Sequence, residues 1–157
     1  MATRNIVTEQ DTILKKTSRP IERFDHRLFQ LLDDMKETMV QANGIGLAAP
    51  QVGVLRRVVV IDTGEEITEF INPVIEKQSK STNEEMESCL SCPGYYGLVK
   101  RPKTVTVRAQ NRDGQWFSLT GEKRIARAMC HEIDHINGVL YKERAKELYT
   151  EDEIEEK

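Results

Sequence analysis

The chain has no apolar run long enough to cross a membrane as a helix, which takes about 20 residues. It has no excess of positive charge. Its 23 Lys and Arg stand against 26 Asp and Glu, a net charge of −3, so nothing suggests nonspecific nucleic-acid binding. It lacks an even set of cysteines: there are three, with no disulfide framework in evidence. The opening stretch, Met1-Ala2-Thr3-Arg4-Asn5, lacks the apolar core of a signal peptide. Internal repeats, linkers and low-complexity segments are also missing. The expectation is a cytoplasmic protein whose thiols stay reduced and free to ligate metal. At 157 residues, 38% hydrophobic and 31% charged, the chain suits one soluble globular domain with a real core.

What the chain does have is His131-Glu132-Ile133-Asp134-His135. At helical spacing the two histidines lie one turn apart on one face, so both imidazoles can reach one metal ion. Glu132 sits beside them, within reach of a water on that ion. Ile125, Ala128, Met129, Glu132 and Ile136 form one stripe of a helix, and Asn137-Gly138 stops it. Three chemically matched residues in five positions are hard to explain as core or as a solvated face.

Upstream, residues 1–20 read as an ordered arm ending at Pro20. Asp25 is a candidate N-cap for a helix to about Ala42 that buries Leu28, Leu31, Leu32, Met35 and Met39. His26 reads as a surface residue. Gly44 to Gly53 is dominated by small residues that let backbone or ligand come close. It is no phosphate loop, because the Lys-Ser/Thr of that motif is missing. Gln51 is its one polar head. Val54 to Ile61 is β-rich; Glu69–Asn72 and Val74–Lys77 read as strand pieces broken at Pro73. Lys80 to Glu85 reads as a loop. Thr104–Val107 and Gln115–Leu119 form a hairpin through Asp113-Gly114. Val139-Leu140-Tyr141 packs after the metal helix. This order points to one α+β domain, with residues 146–157 as an acidic tail that frays.

Two histidines leave an ion under-ligated. Cys130 is rotated about 100° away from His131 along the helix and cannot easily join both histidines. Cys89-Leu90-Ser91-Cys92, read alone, is half a structural zinc site or a redox pair. The 38-residue gap from Cys92 to His131 far exceeds the roughly 12–15 of a zinc finger. A closed four-ligand site would also leave Glu132 no water to act on, and a redox pair would leave the histidine helix unexplained. One cysteine, two histidines and a water make an open catalytic site.

Three segments together are specific. Gly44-Ile45-Gly46-Leu47-Ala48-Ala49-Pro50-Gln51, Glu87-Ser88-Cys89-Leu90-Ser91 and His131-Glu132-Ile133-Asp134-His135 resemble, in order and separation, the three motifs of the bacterial peptide deformylases. The resemblance runs from the Asp11–Leu14 region through Tyr141. It implies a peptide deformylase domain over 1–145, with antiparallel sheets packed around a C-terminal metal-binding helix. It implies Cys89, His131 and His135 as metal ligands, Glu132 as catalytic acid/base, and Gln51 with the Leu90 backbone N–H as oxyanion donors. The implied cofactor is one divalent metal per chain, Fe2+ in the cell, with Zn2+, Ni2+ or Co2+ as options in purified protein. Ligand type alone does not separate iron from zinc. The implied reaction removes the formyl group from the N-terminal formylmethionine of new polypeptides and releases formate. The implied substrate lies extended along a strand edge, for which Ile45, Gly46 and the Gly97-Leu98-Val99 region are candidates. Ala128 is the candidate wall of the methionine pocket. Other expectations are a monomer, weak association with ribosomes, and neither membrane contact nor sequence-specific nucleic-acid binding. The chain departs from the family pattern at Ser88, usually Gly, and at Cys130, often Gln. Competing readings are a zincin-like metalloprotease, a catalytically vestigial deformylase-like binding protein and a structural zinc protein. The protease reading lacks a downstream His for a third ligand.

Overall fold

The computed structural model describes residues 2–155, without the side chain of Glu155. Helix α1 spans His26–Gln41, and the Asp25 carboxylate caps it by accepting from the Leu28 N–H. Strands β1 (Gly46–Ala48), β2 (Val58–Asp62) and β3 (Ile67–Gln78) follow, then β4 (Thr82–Glu87), β5 (Tyr95–Pro102), β6 (Thr104–Gln110) and β7 (Trp116–Glu122). Helix α2 covers Arg124–Ile136, α3 Tyr141–Arg144, β8 Ala145–Thr150 and α4 Glu151–Glu155. Both sheets are antiparallel: five strands in the order β1-β2-β3-β6-β7, and three in the order β4-β5-β8. Among the described residues no helix is long and apolar enough to cross a membrane.

The core explains why β2 reads as an unbroken apolar run. Val59 and Ile61 face α2, packing with Phe70, Val107, Met129 and Ile133. Val58 and Val60 face α1, packing with Leu28, Leu32, Met35 and Met39. A strand covered on both faces needs apolar residues at every position, without alternation. The histidine-bearing α2 is thereby clamped on the sheet, with His135 fully buried.

Three expectations need correction. The strand is not broken at Pro73; β3 runs through it, and the irregularity is a register shift between Ile71 and Val74. Asn72, at φ 54°, takes up the distortion while its side chain bonds Ile21 and Gln110. The segment read as a loop at Lys80–Glu85 contains most of β4. Only Glu87 of β4 is buried, so no apolar alternation marks it as a strand. The tail expected to fray begins instead with β8, which pairs with β5 from Tyr95↔Thr150 to Val99↔Ala145. Backbone groups of β5 would otherwise lack partners, and that demand orders a polar segment. Residues 156 and 157 of that tail lie outside the described residues.

Candidate active site

Strand β4 ends at Glu87, and the chain turns through residues 89–92, where the Cys92 N–H donates to the Cys89 carbonyl at 2.9 Å. This turn sets Cys89 against α2. The ligating atoms of Cys89, His131 and His135 lie within 4.8 Å of one another, and all three residues are buried. Cys89 Sγ is 3.3 Å from His135 Nε2. Cys92 and Cys130 are outside this set; Cys130 lies in the core between α2 and the sheet.

Glu87, which sequence reasoning missed, anchors His131. Its carboxylate lies 2.9 Å from His131 Nδ1 and accepts two hydrogen bonds from Arg101, at 2.9 and 3.0 Å, and one from Arg127 at 2.6 Å. Burial alone would raise the Glu87 carboxyl, but the hydrogen bonds from His131 and Arg101 hold it down at about 2. An ionised carboxylate only accepts, so Nδ1 of His131 carries a proton, which leaves Nε2 as the atom this ring could offer a metal. Arg101 also donates to Asp134 at 2.8 Å, and Asp134 accepts from Arg144 at 2.6 Å. The buried charges are therefore paired, which is the condition for tolerating them. Glu87 was findable: it stands two positions before Cys89 in extended chain. Arg101 gave no local signal, being 14 residues from one partner and 33 from the other. Burial, then His131, push the His135 imidazole well below its ordinary value. A neutral imidazole offers a lone pair, so one thiol sulfur and two nitrogens fit a divalent transition metal.

Glu132 is buried beside this cluster, and its Oε1 has no hydrogen-bond partner among the described residues. Burial raises its carboxyl to about 7, against the opposing pull of His131. Such a group can both accept and return a proton near neutral pH. Gln51 sits on a short 3-10 helix, Ala49–Val52. Its side-chain oxygen accepts from the Ala48 N–H at 2.9 Å, which turns Nε2 toward Cys89 Sγ at 3.6 Å and Ser91 Oγ at 3.2 Å.

A cavity of about 590 Å³ opens over the cluster. Ile45, Gly46, Gln51, Leu90 and Ala128 are on its wall with Cys89, His131 and Glu132. Gly97 and Leu98 are not. Strand β5 is the middle strand of its sheet, paired on both sides, so it has no free edge to offer. The missing side chain of Gly97 makes room for Tyr141 and Ala145, each 2.9 Å from where a Cβ would stand. The free edges at the cavity are those of β1 and β4, whose Gly46, Glu85 and Met86 line it. Ser88 also lines the cavity and is not among the residues with positive φ. The substitution strains no backbone.

The family model described as polypeptide deformylase matches residues 3–151. The chain belongs to the polypeptide deformylase family. The peptide deformylase of Caldicellulosiruptor bescii is 54% identical over 157 residues, covering 100% of this chain and 94% of that protein. That of Alkaliphilus metalliredigens is 51% identical over 144 residues, covering 92% and 97%. Among solved structures, peptide deformylase from Thermotoga maritima superposes with a TM-score of 0.91 at 36% identity, covering 94% of this chain and 100% of that one. An Acinetobacter baumannii peptide deformylase bound to Met-Ala-Ser superposes with a TM-score of 0.85 at 30% identity, covering 91% and 98%. The antiparallel α+β deformylase fold expected from the sequence is the fold observed. Deformylases are metal-dependent, and Cys89, His131 and His135 supply a donor set able to hold the ion.

Proposed function

We propose that the cavity over Cys89, His131 and His135 is where this chain hydrolyses the N-formyl group of N-terminal formylmethionine in newly made polypeptides, releasing formate. The observation that carries this reading is the convergence of three ligating atoms within 4.8 Å of one another, next to the buried Glu132 carboxyl. A divalent metal held there would polarise water and the formyl carbonyl. Fe2+ is the ion we assign in the cell.

The protein groups divide the remaining work. Glu132 accepts the proton of the attacking water and delivers it to the leaving amine as the formyl C–N bond breaks. Gln51 Nε2 and the Leu90 N–H donate to the oxygen that gains negative charge; one such donor is typically worth ~3 kcal/mol. The substrate lies extended between the edges of β1 and β4 and adds main-chain hydrogen bonds there. Ala128 and Ile45 flank the methionine side chain. The Met-Ala-Ser bound to the Acinetobacter baumannii relative has the length and form of the product this reading requires. No observation favours a metalloprotease: the third ligating side chain in the cluster is a cysteine.

The deciding experiment compares formate release from formyl-Met-Ala-Ser with cleavage of casein, in the wild type and in Glu132→Ala. The wild type should release formate and leave casein intact. The variant should lose turnover and keep its metal by elemental analysis. Casein cleavage without formate release would overturn the reading, and loss of metal from the variant would make Glu132 structural. For the iron assignment, protein purified without oxygen should outlast protein purified in air, with Ni2+ or Co2+ restoring the latter. Equal activity at full iron content in both would remove iron from consideration.

A further inference from the structure

One sequence feature is not absorbed by the deformylase reaction: Cys92, three residues after the proposed ligand Cys89. It is 1% exposed and shares a small buried cluster with Cys89, Val99 and Tyr141. The two cysteines are the ends of one tight turn, closed by the 2.9 Å hydrogen bond from the Cys92 N–H to the Cys89 carbonyl. The ends of such a turn have Cα atoms within about 7 Å, inside the range a disulfide spans. The turn and the shared cluster bring the two side chains together. Both residues line the active-site cavity, which gives a small oxidant a route to the sulfurs. Cys130 is packed in a different core cluster and does not compete as a partner.

We propose that Cys89 and Cys92 are a peroxide-responsive thiol pair that closes into a disulfide. The Cys89 sulfur attacks one oxygen of hydrogen peroxide. The O–O bond breaks, one water leaves, and Cys89 becomes a sulfenic acid. The Cys92 sulfur then attacks the Cys89 sulfur. The S–S bond forms, the S–O bond breaks, and a second water leaves with the remaining thiol proton. Two thiols and one peroxide give one disulfide and two waters. The sulfenic acid is the last reversible state before the sulfinic and sulfonic acids, so a partner in reach decides whether Cys89 is recoverable. On the reading of Cys89 as a ligand, closure also removes a donor from the metal cluster, and reduction by a dithiol returns it.

The test uses Ni2+-loaded protein, wild type and Cys92→Ser, exposed to graded hydrogen peroxide and alkylated without reductant. Intact mass and peptide mapping read the sulfur state, and a colorimetric chelator reads released metal. In the wild type the mass should fall by two hydrogens, with Cys89 and Cys92 in one cross-linked peptide. Metal should be released in step, and dithiothreitol followed by Ni2+ should restore it. Cys92→Ser should begin with the same metal content and accumulate at least about fivefold more Cys89 carrying two or three added oxygens, which dithiothreitol does not reverse. Equal over-oxidation of Cys89 in both proteins, or a Cys92 still open to alkylation in the oxidised wild type, would overturn the proposal. A disulfide that forms while the metal stays bound would uphold the thiol pair and instead refute Cys89 as a ligand.

Discussion

At the scale of single residues, Gly46 and Glu132 are a matched pair. A Cβ on Gly46 would stand 2.7 Å from Glu132 Oε2 and 3.0 Å from its Cγ. The absent side chain is what lets the Glu132 carboxyl lie against β1. Gly46→Ala should therefore push Glu132 aside, since a carboxyl tip moves more easily than a strand. We expect kcat to fall tenfold or more, as misplacements of about 1 Å commonly do. Stability should change by less than about 1 kcal/mol, because alanine also restricts the unfolded chain. Unchanged formate release would show that Glu132 has room to spare. Ser88 presents the opposite case. It is exposed on the cavity wall with no positive φ, so glycine brings no relief there. Ser88→Gly should alter turnover less than about threefold and lower the melting temperature slightly, since glycine loses more backbone entropy on folding. A tenfold gain in formate release would contradict this.

At the scale of elements, the junction of β7 and α2 holds a strained residue. Lys123 has φ 55° and ψ −121°, a conformation suited to glycine. It is held by its N–H donating to the Lys103 carbonyl at 3.0 Å and its carbonyl accepting from Arg127 at 3.1 Å. The side chain is exposed, so Lys123→Gly should remove strain and keep both bonds. The expected gain is about 1 kcal/mol, or roughly 2–4 °C in Tm by calorimetry, with activity unchanged. A lower Tm would mean that the lysine stem contributes more than the strain removes. The strands differ in how visible they are for a related reason. Strand β2 is buried on both faces and announces itself, whereas β4 and β8 are the polar edges of a three-stranded sheet. Their order comes from backbone pairing to β5, which leaves no trace in side-chain hydrophobicity.

At the scale of the whole molecule, an ionic clasp ties α1 to the large sheet. Glu69 of β3 accepts from Arg112 at 2.6 Å and pairs with Lys36 at 2.7 Å, while Arg112 reaches Asp33 at 2.5 Å. Burial would raise the Glu69 carboxyl, but Arg112 and Lys36 outweigh it and hold it below the ordinary 4.5. A carboxyl lowered by folding stabilises the fold above its unfolded value and loses that contribution as pH falls through the folded one. Glu69→Gln should therefore lower stability by about 1–2 kcal/mol at neutral pH. The difference from wild type should shrink as pH drops below 4.5, and denaturant titrations across that window will measure it. A difference that stays constant into acid would mean that packing, and not charge, is what glutamate supplies.

The sequence by itself determined α1, the apolar strand β2, the β6–β7 hairpin and the histidine pair on α2. Each is written in short-range pattern: helical spacing, unbroken β-branched residues, an Asp-Gly turn signal, and a histidine pair one helical turn apart. It also separated Cys130 from the cluster of Cys89, His131 and His135, because 100° of helical rotation is local geometry. Only the tertiary structure decided that Gly97 serves Tyr141 packing and not a substrate edge, since edge status depends on which strands flank β5. Only the tertiary structure joined Glu87, Arg101, Arg127 and Asp134 beneath His131. Those charges come from β4, β5 and α2, and isolated along the chain each reads as solvated surface. Folding removes their water, and the pairing that replaces it holds the His131 imidazole in place.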